Sequence, residues 1–351
     1  IDKSPFTEPT LNLIRKWDQD CLNSHVKCRE SLPKLPSRVI DVRVANGKCK
    51  LVETKGASGR YMTLSHCWGT LRILTTVKEN IDIHRRGIDL KALPKTFQDA
   101  IWMTDRLGIQ YLWIDSLCIV QNDADDWARE SALMAAIYSN SHLTLAATAS
   151  KNGSEGLFKE RAVDTFSMTV PGLAPLAASV MRRREHECLL NIDEESVDYF
   201  EDSLPLNTRA WVYQERLLSP RFLHFSTDEL VWECRQLRAC ECGRVPQPRE
   251  TENRSVDTPD RLFFQLPDAE KYWYQLIKKY TQLKITKDFD RLPAVSGIAR
   301  RLMSAENYMA GLRKSHAISD LSWLTTSVKS KRPSVFQAPS WSWASVMGPI
   351  I

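Results

Sequence analysis

Glu130 is a carboxylate set into an apolar stripe. At roughly 100° per residue, Trp127, Glu130, Met134, Ile137 and Tyr138 share one face of a helix. That helix starts at the Asn122-Asp123 signal and runs to about Tyr138. An acid in that position must find a partner, take up a proton, or line a cleft. One reading is a structural acid paired with an arginine or capping backbone; the other is a cleft acid at the end of a sheet. The loop just before the helix brings Asp115, Cys118 and Gln121 to the same edge. In open α/β sheets, ligands bind beyond the carboxyl ends of the strands.

Two further groups of residues can do chemistry. Tyr61–Gly69 (YMTLSHCWG) reads as a strand entering a glycine turn, with Ser65, His66, Cys67 and Trp68 at its carboxyl end. Neighbours on a strand point to opposite faces, so His66 and Cys67 do not form a nucleophile–base dyad. The second is the stretch LNTRAWVYQERLLSPRFLHF, in which Arg209, Gln214, Glu215 and Arg216 either reach the cleft or interlock as a salt-bridge network. Cys234, Cys240 and Cys242 with His224 lack a second paired knuckle, so no metal site is expected.

The elements that must hold these residues follow from period and punctuation. Ile109–Ile114 is a buried strand and Leu143–Thr148 another, with the Glu130 helix between them. Leu93-Pro94 opens an earlier helix that Gly108 ends. The strand–helix–strand order from Tyr61 through Ile114 to Leu143 gives βαβ units and a mostly parallel sheet flanked by helices. Residues 1–59 look peripheral, with a helix over Leu11–Cys21 and a hairpin around Asn46-Gly47. The main domain is read as 60–235: a core over 60–158, an insertion over 159–203, and a last block over 204–235. Thr165–Val180 and Glu187–Ile192 are expected to be short strands of the insertion, Asp193–Asp202 an acidic connector and Glu250–Asp260 a polar loop. Thr208–Leu217 reads as a helix, followed by a hairpin of Phe222–Phe225 and Leu230–Glu233. Residues 236–351 form an extension, with helices over Lys271–Leu283 and Arg291–Ser304. In its last block (APSWSWAS), Trp341 and Trp343 are expected on one face of a short strand, packed as core.

Composition narrows the class. A chain of 351 residues, 43% hydrophobic and 26% charged, has the make-up of a globular protein. No apolar run approaches the ~20 residues of a membrane span. The net charge of +5 is scattered rather than gathered into a basic, aromatic-interleaved stripe, which argues against nucleic acid. Nine irregularly spaced cysteines suggest reduced thiols and a cytoplasmic setting rather than a disulfide framework. The start lacks a secretory layout, and Ile rather than Met stands first, so upstream sequence is expected.

Three ordered blocks resemble the fungal heterokaryon incompatibility (HET) domain family: Tyr61–Gly69 (YMTLSHCWG), Leu112–Gln121 (LWIDSLCIVQ) and Arg209–Arg221 (RAWVYQERLLSPR). The segments LPKTFQDAIWMTDRLGIQY, DDWARESALMAAIY, AVSGIARRL and APSWSWAS also fit, so the resemblance spans about Tyr61 to Trp343. The chain departs from the pattern with RAW where RGW is commoner, and with His66 where tyrosine is common. The resemblance implies an intracellular fungal protein of self/non-self recognition and programmed cell death. The family is held to be distantly similar to TIR domains, many of which hydrolyse NAD with a glutamate in a W-x-x-E helix. Trp127–Glu130 (WARE) matches that motif.

Three functions remain open. In the first, Glu130 stabilises the sugar cation formed on NAD cleavage, and Ser65, His66, Trp68, Asp115, Gln121 and Trp127 line the pocket. NAD is then a substrate, and no permanently bound cofactor is expected. In the second, a small-molecule enzyme uses Cys118 or Cys67 as nucleophile, or Glu130 and Glu215 as an acid–base pair. In the third, the domain is a non-catalytic module that self-associates or binds a protein partner.

Overall fold

The computed structural model describes residues 7–29, 31–70, 73–160, 203–243, 269–325, 327–328 and 330–351, together with the backbone of strands at 164–168 and 176–180. Helix α1 (Glu8–Ser24) starts at a Thr7 side-chain cap. Strands β1 (Arg38–Ala45) and β2 (Lys48–Glu53) form a hairpin whose turn puts Asn46 and Gly47 at φ 53° and 73°. Both central turn residues are left-handed, which is what an Asn-Gly hairpin turn requires. β3 (Tyr61–Ser65), the short helix α2 (Ile81–Arg86), β4 (Ile88–Asp89), α3 (Lys95–Arg106) and β5 (Tyr111–Trp113) follow. One helical turn, α4 (Asp115–Cys118), leads to α5 (Ala124–Ser139), whose N-cap Asp123 accepts from the amides of Asp125 and Asp126. β6 (Leu143–Ala146) closes this run.

β7 (Asp164–Met168) and β8 (Leu176–Val180) pair antiparallel with each other. The expected strand over Glu187–Ile192, the connector over Asp193–Asp202 and the loop over Glu250–Asp260 lie outside the described residues. Helix α6 (Ala210–Leu218) precedes a meander of β9 (Arg221–Phe225), β10 (Leu230–Cys234) and β11 (Arg238–Cys240). Helices α7 (Trp273–Tyr280) and α8 (Pro293–Leu302) complete the main elements.

The order of the nine-stranded sheet is β11-β10-β9-β6-β3-β5-β1-β2-β4. Its centre, β9-β6-β3-β5, is parallel, and both flanks are antiparallel. The sheet is therefore mixed, with the parallel character confined to the strands joined by helical crossovers. Residues 1–59 are not merely peripheral to it, because β1 pairs directly with β5 and β2 extends that flank.

One apolar core fills the space around the central strands, with Trp113, Tyr138, Phe97 and Trp232 all buried. A second lies among α6, α7, α8 and the C-terminal segment, centred on Trp273, Tyr280 and Trp343. The last block is not a strand but a short 3-10 turn over Trp343–Ser345. Alternation therefore fails there: Trp343 is core, whereas Trp341 is 38% exposed. Within the second core α8 is fixed to α6 at Gly297, whose amide donates to Gln214 Oε1 at 2.7 Å. A Cβ on Gly297 would come within 2.4 Å of Ala135 Cβ and 2.5 Å of Gln214 Oε1. Gly297→Ala should therefore cost about 1–3 kcal/mol by overpacking, measured by denaturant unfolding, despite the better helix propensity of alanine.

Candidate active site

The parallel centre brings the carboxyl ends of β3 and β5 to one edge, and α5 and α6 wall the space above it. The resulting cleft has a volume of about 290 Å³ and is open to solvent. Its floor carries His66, Asp115 and Glu215; Trp68, Trp127 and Trp211 supply aromatic walls; Arg209, Lys284, Lys287 and Asp290 stand among the remaining lining groups.

Glu215 is the acid at the centre. It is 6% exposed and accepts a short hydrogen bond from Ser65 Oγ at the end of β3. Burial pushes its carboxyl up to about 7; the Ser65 hydrogen bond and the Arg209 charge oppose the rise, and the Asp115 charge reinforces it. Asp115 is fixed differently, accepting from Trp68 Nε1 at 2.8 Å and from the Ser116 amide at 2.6 Å. His66 Nε2 lies 3.8 Å from Asp115 Oδ1 and has no hydrogen-bond partner among the described residues. Burial depresses its basicity, which the Asp115 charge partly restores, so the imidazole is neutral near pH 7. An unpartnered ring nitrogen beside two carboxyl groups suits a bound ligand's hydrogen-bonding group or a water.

The structure divides the sequence-derived candidates. His66, Trp68, Asp115, Gln121, Trp127, Arg209 and Glu215 all line the cleft. Ser65 sits behind it, holding Glu215. Glu130 does not line it. The cleft is faced by Trp127, Ser131, Met134 and Tyr138 of α5, and Glu130 lies one stripe around with Asp126 and Ile137. Its carboxylate is 1% exposed, 3.7 Å from Arg38 Nη2 and 3.9 Å from Arg129 Nε. Arg38 in turn donates to Asp126 and to the Cys118 carbonyl, so this face of α5 is an ion cluster joining the helix to β1. The helical wheel identified a buried acid correctly, but a wheel cannot tell a cleft from an ion cluster.

Cys118 also stays out of the cleft. Its side chain is fully buried and its thiol is pushed up to about 12 by burial, which leaves no thiolate at neutral pH. Cys67, which follows the end of β3, packs in a small cluster with Val212 and Phe222. Burial pushes its thiol up to about 11. Gln214 is the Gly297 clamp. Arg216 belongs to a buried network: burial alone would raise the Glu233 carboxyl, yet Arg216, Arg238 and His224 hold it well below its ordinary value. His224 is thus committed to Glu233 and Thr148 and takes no part in a cysteine cluster with Cys240 and Cys242.

Trp211 and the segment carrying Lys284, Thr286, Lys287 and Asp290 were not among the sequence candidates. The segment is held by pairing across a long sequence gap, with the Ala210 amide donating to the Lys284 carbonyl at 3.0 Å and the Lys284 amide to the Thr208 carbonyl at 2.7 Å. Trp211 Nε1 donates to Asp290 Oδ2 at 3.0 Å, and Phe289 stands edge-on to Trp127. No local signal marks such a rim.

The fold and cleft define an α/β protein with a buried acid at the carboxyl edge of a parallel sheet centre. Residues 61–215 match the family model described as heterokaryon incompatibility protein (HET). Glu215 is the last residue of the match. Searches of curated proteins and of solved structures find no match. No described helix is long and apolar enough to cross a membrane.

The raised Glu215 carboxyl has a thermodynamic sign. Ionisation is harder in the folded chain than in the unfolded one, so the cost is absent at low pH, grows above the ordinary value of 4.5 and is complete above about 7. Glu215→Gln removes it. The stability of the variant relative to wild type should improve by about 2–3 kcal/mol between pH 5 and pH 8 in paired denaturant melts.

Proposed function

We propose that this chain is an enzyme of the HET class that cleaves the N-glycosidic bond of a nucleotide such as NAD, with Glu215 at the reaction centre, in a self/non-self recognition response leading to cell death. The observation that carries the reading is the buried, cleft-facing Glu215 beneath aromatic walls and a rim bearing Arg209, Lys284 and Lys287. Flat rings stack on tryptophan faces, and phosphates suit the cations. As the C1′–N bond breaks, its electron pair leaves with neutral nicotinamide and positive charge builds on the ribose. The buried Glu215 carboxylate, close to Asp115, stabilises that charge. Water then adds to C1′, and its proton passes to Glu215 or to the neutral His66. The products are ADP-ribose, nicotinamide and a proton.

Glu215 acts here as the carboxylate, so kcat/KM should fall as the pH drops through about 7. Glu215→Gln should lower NAD turnover by about 10²–10³-fold while the protein stays folded, the scale of losing one preorganised electrostatic group. Glu130→Gln, in the ion cluster behind α5, should lower thermal stability and leave a turnover well above that of Glu215→Gln. Nicotinamide release by the three proteins, with melts alongside, decides the matter. Equal loss in a folded Glu130→Gln would move the reaction centre to that residue. No NAD loss by wild type at high protein concentration would sink the enzyme reading.

A further inference from the structure

We propose that Cys21, His25, Cys28 and Cys234 form a structural zinc site that staples the N-terminal helix to the far flank of the sheet. The four residues each offer one ligand atom, and all four atoms lie within 4.8 Å of one another. A tetrahedral zinc with bonds of about 2.3 Å to sulfur and 2.0 Å to nitrogen has ligand–ligand edges of about 3.5–3.8 Å. Side-chain adjustments of under about 1 Å close that difference. Three thiolates and one imidazole are a standard structural donor set, with no position left open for substrate.

Local structure explains how the residues meet. Cys21 and His25 are one helical turn apart at the end of α1, and His25 is its C-terminal cap. The 3-10 turn Val26–Cys28 then folds back to present Cys28. The fourth ligand lies 209 positions beyond His25, at the end of β10, where Cys234 Sγ is 3.3 Å from His25 Nδ1. The spacing C-x3-H-x2-C supplies three of the four ligands, and the fourth is remote, which is why the chain read as a string shows no metal motif.

Hydrogen-bond donors face two of the three sulfurs. The amides of Gln236 and Leu237 both point at Cys234 Sγ, at 3.4 and 3.3 Å. Arg221 donates from Nε to Cys21 Sγ at 3.3 Å and from Nη2 to the Cys28 carbonyl at 2.9 Å. Its side chain is fully buried. Three thiolates on a divalent ion leave one net negative charge, and the buried guanidinium lies against it. Zinc uptake breaks three S–H bonds and releases three protons to solvent, without any redox change. The site lies outside the HET match and away from the cleft, so it stands or falls independently of the proposed activity.

The test uses the full chain expressed with added zinc. Elemental analysis should find about one zinc per chain, and X-ray absorption should find about three sulfurs and one nitrogen around it. Replacement by Co²⁺ should give the intense visible bands of a tetrahedral thiolate site. A strong chelator should lower the melting temperature, and added Zn²⁺ should restore it. Because Cys28→Ser may not fold, His25→Ala, which keeps all three sulfurs, carries the decision: its zinc affinity should fall about tenfold or more. Cys242→Ser, outside the cluster, should keep both metal and melting temperature. Three results would overturn the proposal: a zinc-free wild-type chain whose melt ignores added Zn²⁺, a disulfide among the three cysteines in the native protein, or zinc lost in Cys242→Ser but retained in His25→Ala.

Discussion

A single carboxyl group kept from water at the end of a central strand sets the demands on the rest of this molecule. Glu215 reaches Ser65 only because α6 is laid across the carboxyl edge of β3, and α6 is placed there by the parallel pairing of β6 with β9 that follows it. The acid is held by the hydroxyls of Ser65 and Tyr138 and one nearby guanidinium, with a second acid, Asp115, close by. Such an arrangement costs folding free energy and is stable only inside a well-packed frame. The two apolar cores, with the Gly297 clamp between α6 and α8, supply that frame.

Much of this was legible in the chain, and for identifiable reasons. The Asp123 cap, the Asn46-Gly47 turn, and the strand–helix–strand rhythm are local signals, and each element appears where its signal sits. The seven cleft-lining candidates were also recoverable, because strand ends and the loops after them converge in any open α/β sheet. What escaped was long-range. Glu130 and Glu215 are both buried glutamates on helices, and only the partner lying opposite — Arg38 for one, Ser65 for the other — separates an ion cluster from a cleft. Cys234 gives no hint of Cys21 and Cys28 until the flank of the sheet folds beside α1. Trp341 and Trp343 share a face only if the segment is extended, and a 3-10 turn there parts them.

Two kinds of buried charge coexist in the chain and differ in consequence. Glu233, with Arg216, Arg238 and His224 around it, is fully compensated, so its charge is comfortable and it serves as cement between α6 and the meander. Arg38 and Asp126 join β1 to α5 in the same way, whereas the Glu130 carboxylate beside them has cations only at 3.7 and 3.9 Å and accepts no hydrogen bond from the described residues. Glu215 is under-compensated by comparison, and that imbalance is what separates a group poised to change its protonation from one locked in place.

The pairing of Ala210 with Lys284 joins a helix of the family match to a segment that the family model does not cover. The cleft lining thereby draws Lys284 to Asp290 from a stretch outside the match, beside residues within it. A lineage can then vary the rim, its cations and its Phe289 edge, without touching the acid beneath. The cleft is thus a composite surface, and a change in the segment after Lys284 reshapes its opening without altering the stretch that the family model describes.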